Sequence, residues 1–132
     1  MDNFDLKKYV EEGKLLKEEM SPEHNDFTKK YLKGYQFTSE GGQLIVKGSI
    51  DLRNKKENIK LPNNLTVDGQ LLLSGSDIEE LPSGLKVFLL SISNTPIRRL
   101  PNDLKVEQNL IMNSTEIDKI QKGVEIGGNI FL

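Results

Sequence analysis

The chain reads as a β-rich solenoid preceded by an α-helical segment, and three observations predict it. A Leu-Pro pair recurs at Leu61-Pro62, Leu81-Pro82 and Leu100-Pro101, spaced by 20 and then 19 residues. Between the pairs one order returns: a Val, a small or polar stretch, an apolar-x-apolar strand, a Ser or Thr, then an Ile. Hydrophobic residues make up only 36% of the 132. That is lean for a closed globule, and it suits a thin stack in which one or two apolar columns face inward. A fixed period near 20 residues marks stacked supersecondary units, each burying its apolar face on the next.

The first 40 residues form the helical part and 41–132 the solenoid. In residues 2–20, Leu6, Tyr9, Val10, Leu16 and Met20 recur at helical spacing among Lys and Glu, which predicts a one-sided amphipathic helix. Gly13 weakens it by ~1 kcal/mol relative to Ala. Two roles stay open for this helix. It either caps the first coil or serves as a docking helix whose Leu6, Tyr9 and Val10 stripe enters a partner's groove. A second helix is better punctuated, with Ser21 as N-cap, Pro22 in the first turn, Glu23 and Asp26 at the positive end of the dipole, and Gly34 as the stop. Its apolar face is Phe27, Tyr31 and Leu32. His24, with Glu23 and Asp26, is expected on a solvated helix face rather than around a metal.

From Val46 onward about four and a half coils follow. Period-2 geometry in the strands sets the inward columns. One is Ile50, Leu71, Leu90, Leu110 and Ile130, and the next is Leu52, Leu73, Ile92, Met112 and Leu132. After the turn come Ile59, Ile78, Ile97 and Ile117, then Leu61, Leu81, Leu100 and Ile120. Leu65, Leu85, Leu104 and Val124, with Val46, Val67, Val87, Val106 and Ile126, complete the wall. The third coil has lost one residue after Val87. Ser76, Thr95 and Thr115 share one position, where a hydroxyl can bond the backbone of the turn.

The stretches LLLSGSDIEELPSGL, SISNTPIRRLPNDL and LIMNSTEIDKI resemble the short leucine-rich repeat of bacterial and phage proteins. Ser or Thr stands where that family has Asn, so a straighter, β-helix-like stack is also compatible. The charged opening NFDLKKYVEEGKLLKEE is similar to the starts of many small phage proteins. The resemblance implies protein binding rather than catalysis.

Outward strand positions of a half-wet sheet should be polar, yet Leu72, Leu89, Ile111 and Phe131 are not. They predict a binding strand face. The last coil stops on a strand, so Ile130, Phe131 and Leu132 are expected to form an assembly edge. The expected function is a non-enzymatic protein-binding or assembly module, a phage accessory or virion component. The alternative is a monomeric adaptor or inhibitor that binds a host protein through the strand face. The partner is a protein or a second copy of the chain.

Other classes fit poorly. With 18 basic and 20 acidic residues and no basic stripe, nucleic acid is not an expected partner. The absence of cysteine excludes disulfides and thiolate metal or redox sites. A nucleophile–base pair lacks its base, since the single histidine lies in the helical segment. Asp77, Glu79, Glu80, Glu116 and Asp118 are turn carboxylates beside Lys and Arg, where solvated charge is the ordinary role. No catalytic residue, cofactor or small-molecule substrate is expected. No run approaches the ~20 apolar residues that span a bilayer, and none resembles a signal peptide. The expected location is the cytoplasm, or a virion assembled there.

Overall fold

Ser21 opens the first element of the computed structural model, which describes residues 20–132. Its hydroxyl accepts a bond from the His24 N–H at 3.1 Å, and Pro22 fills the first turn of α1 (Pro22–Tyr31). Lys29 and Lys30 sit in the last turn, where cations complement the dipole. The Leu32 N–H closes the helix on the Thr28 carbonyl at 3.0 Å, two residues before Gly34 at φ +82°. Phe27 and Leu32 are buried in the core. The docking residues Leu6, Tyr9 and Val10 lie outside the described residues.

A hairpin then joins the helix to the array. Strands β1 (Gln36–Glu40) and β2 (Gln43–Lys47) pair antiparallel, with Phe37 opposite Val46. Gly41 and Gly42 turn the chain at φ +60° and +79°. That is the two-residue turn with both central φ positive that matches strand twist. The Leu-Pro period does not reach this Gly-Gly pair, so the hairpin is not among the elements predicted above. The alternation of QFTSE and QLIVK around it was the available signal.

The rest is a β-solenoid of parallel rungs, as the sequence predicts. Strands β2, β4 (Leu65–Leu72), β5 (Lys86–Ser91), β6 (Lys105–Val106) and β8 (Glu125–Ile126) form one parallel ladder. Beside it, β3 (Ile50–Asp51) pairs with the end of β4. The end of β5 pairs with β7 (Leu110–Ile111), and β7 with β9 (Ile130–Phe131). The Leu-Pro segments carry no regular structure, because Pro has no N–H to give a ladder.

The inward columns from the sequence are buried from Val46 down to Met112 and belong to one core, with Ile117, Val124 and Ile126 partly buried against it. Ile120, Ile130 and Leu132, expected inward as well, are exposed instead. Leu44 joins at the head of the Leu65 column, opposite Leu65 in register, so the first coil begins two residues earlier than Val46. Apolar burial contributes ~25 cal/mol per Å², and each coil supplies it only through its neighbours.

Polar bonds stitch the turns. Thr95 donates to the Ile92 carbonyl at 2.7 Å and Thr115 to the Met112 carbonyl at 2.9 Å. The buried Ser76 hydroxyl at the same position has no partner among the described residues, although the Ser76 N–H donates to the Leu73 carbonyl at 3.1 Å. The corner between the two ladders is tighter still. A Cβ added at Gly69 would stand 2.6 Å from the Gly48 carbonyl carbon, and one at Gly127 would stand 2.2 Å from the Glu107 oxygen.

Candidate functional site: the strand-face groove

The outward face of the first ladder is a row of Cα partners, Ile45, Thr66, Lys86, Lys105 and Glu125. Where the chain turns toward the second ladder, each coil places a corner. The second coil uses Asp68-Gly69 and the fourth Glu107-Gln108. The third, shorter by one residue, uses Phe88 alone, so the register shifts between Val67 and Gln70. Row and corner together enclose a groove of about 820 Å³. Phe88 stands in it with 40% of its surface exposed. Among the described residues, Phe88 is the one large apolar side chain lining the groove that is exposed.

The charges in the groove are unequally matched. Lys105 pairs with Glu125 at 3.6 Å. Lys86 stands opposite Lys105 in the ladder, an arrangement that like charges disfavour. Asp68 and Glu107 line the same groove as Phe88. Neither has an ion-pair partner among the described residues.

The residues chosen from sequence fall in a different place. Leu72, Ile111 and Phe131 share one outward row of the second ladder, which Asp51 and Ser91 complete. Leu72, Leu89 and Ile111 are half-buried and Ser91 between them is buried, so the row is not an open apolar patch. Phe131 is 44% exposed. Ile130 and Leu132, at 39% and 81%, are exposed with it on the last coil. Sequence reasoning missed Phe88. Its signal was the residue lost after Val87, which sets an aromatic at the register shift between β4 and β5.

His24 corrects a second expectation. It is only 3% exposed, with its Nε2 2.8 Å from the Asn63 carbonyl oxygen. Glu23 accepts from the Asn63 N–H at 3.2 Å. The helix first turn therefore grips the first Leu-Pro segment, because packing Phe27 on the core carries that turn over Asn63. Among the described residues no three His, Cys, Asp or Glu side chains gather as a metal site.

Titrating groups elsewhere serve the scaffold. Burial pushes the Tyr31 phenol up, and its bond to the Glu57 carboxylate adds to this. The same hydroxyl, then Lys30 at 3.6 Å, hold Glu57 below its ordinary range. Asp51 is brought down to about 2 by the Arg53 guanidinium first and the Arg53 N–H second. Asp103 is lowered by the Gly84 N–H and then the Ser83 hydroxyl, both at 3.0 Å. None of these groups lines the groove.

No protein-family model, curated protein or solved structure matches the chain. Among the described residues no helix is long and apolar enough to cross a membrane.

Proposed function

We propose that the chain is a non-enzymatic protein-binding module that takes a partner segment along the strand-face groove. The observation that carries this is Phe88, exposed in a groove of about 820 Å³ between valine-backed strands. The rungs beneath it are buried, so the backbone that carries the ring needs no ordering on binding. Acid–base chemistry finds little support. The chain's one histidine is engaged with Asn63, and Asp77, Glu79, Glu80, Glu116 and Asp118 are all exposed. Peptides selected from a random dodecapeptide library on the intact chain should lose about tenfold in affinity when Phe88→Ser is made. That substitution changes an exposed side chain and should leave the thermal midpoint alone. A selection that yields no Phe88-dependent peptide sinks the reading.

A second reading, self-assembly, is favoured by the last coil. Leu110 and Met112 donate to the Asn129 and Phe131 carbonyls. Ile120, Ile130, Phe131 and Leu132 are exposed around this edge, which suits strand pairing with a second copy. A virion component or phage accessory protein would use such an edge. Light scattering after gel filtration should then show a defined oligomer that Phe131→Asp dissolves. A monomer in both cases removes this reading.

A further inference from the structure

We propose that the groove selects a cationic side chain, an arginine or lysine of the partner, laid on the Phe88 ring between the Asp68 and Glu107 carboxylates. The inference rests on the binding reading above and names the chemistry of its partner.

The placement follows from register. Val67, Val87 and Val106 are Cα partners in consecutive coils. The residues that follow them, Asp68, Phe88 and Glu107, therefore stand in one corner row, each about 4.8 Å from the next at the backbone. Two bonds pin that row: the Glu107 N–H on the Val87 carbonyl at 3.0 Å, and the Gln108 N–H on the Phe88 carbonyl at 2.7 Å. An exposed ring is thus flanked on both sides by exposed carboxylates.

The face of an aromatic ring is negative and attracts cations, and the two carboxylates reinforce that field. Neither carboxylate is ion-paired among the described residues. Lys105 is drawn toward Glu125 at 3.6 Å, while Lys86 in the groove and Lys47, the Cα partner of Asp68 on its side away from the ring, form no ion pair with Asp68 or Glu107. A partner segment that is purely apolar here would strip water from both carboxylates without replacing it. An acidic segment would be repelled. A cation satisfies the ring and both carboxylates at once. Arginine fits better than lysine, because its planar guanidinium stacks on the ring and forks toward two acceptors.

The test uses the same dodecapeptide selection on the full chain. The selected Phe88-dependent peptides should carry an Arg or Lys, and changing it to Gln should weaken binding about tenfold. The chain carrying Asp68→Asn and Glu107→Gln together should lose a similar factor. Its remaining binding should vary less with salt. A thermal melt of that chain checks that its fold is kept, as two neutral isosteres on an exposed corner allow. Phe88-dependent peptides without Arg or Lys, or with undiminished affinity for the doubly substituted chain, overturn this inference and leave the binding reading standing. No Phe88-dependent peptide at all overturns both.

Discussion

Leu71→Ala is expected to lower the stability of the chain by ~3–4 kcal/mol, within the range for fully buried leucines. Leu71 is wholly buried, with Ile50 on the coil below it and Leu90 on the coil above as Cα partners. Truncation leaves a cavity that two stiff rungs cannot collapse to fill, because each is fixed by its own backbone ladder. The position matters as much as the residue. In a stack of coils stability is close to a sum of unit terms and nearest-neighbour interfaces. A defect in the second coil weakens the contacts on both of its sides. The measurement is urea unfolding followed by circular dichroism. Leu132→Ala serves as the contrast, since that side chain is 81% exposed and should change little. A loss below ~1 kcal/mol for Leu71→Ala would remove the stacked-column account of stability.

Gly69→Ala should also destabilise, by ~1–3 kcal/mol or more, the cost of forcing extra bulk into a close-packed site. Backbone preference alone argues the other way. Gly69 is not among the positive-φ residues, and Ala at such a position usually stabilises by narrowing the unfolded ensemble. The opposing term is contact. A Cβ there would meet the Gly48 carbonyl carbon at 2.6 Å, its oxygen at 2.8 Å and the Ser49 nitrogen at 2.9 Å. All three atoms are backbone, so no flexible side chain can swing aside. Relief would have to come from parting the first two coils, which weakens the Gly48 N–H bond to the Asp68 carbonyl, now 3.1 Å. An unchanged or raised urea midpoint for Gly69→Ala would contradict this corner geometry.

The inward columns were legible because their period is local. Val, Ile and Leu return at the same step in each coil, and parallel pairing sets them in register without any long-range choice. The cap of α1 was legible for the same reason, with Ser21, Pro22 and Gly34 each acting within a turn of itself. The hairpin at Gly41-Gly42 was legible in principle and was passed over, since its alternation precedes the first Leu-Pro pair. His24 was not readable as a buried residue. Its spacing places it on a helix face, and only the docking of that helix on Asn63 decides that the face is dry.

The binding face shows the same division. Outward direction follows from strand alternation, so Leu72, Leu89 and Ile111 were rightly placed off the inward columns. How much of each remains exposed depends on the neighbouring coils, and those half-cover all three. Phe88 has the opposite history. One residue fewer in its coil is visible in the sequence, but its consequence needs the rungs above and below. By itself the sequence determined the coil period, the buried columns and the helix ends, because each arises from contacts repeated at a short, fixed step. Only the tertiary structure decided which side chains stand clear of the stack. Exposure there is set by the register and the close approach of adjacent coils, and no single coil carries that information.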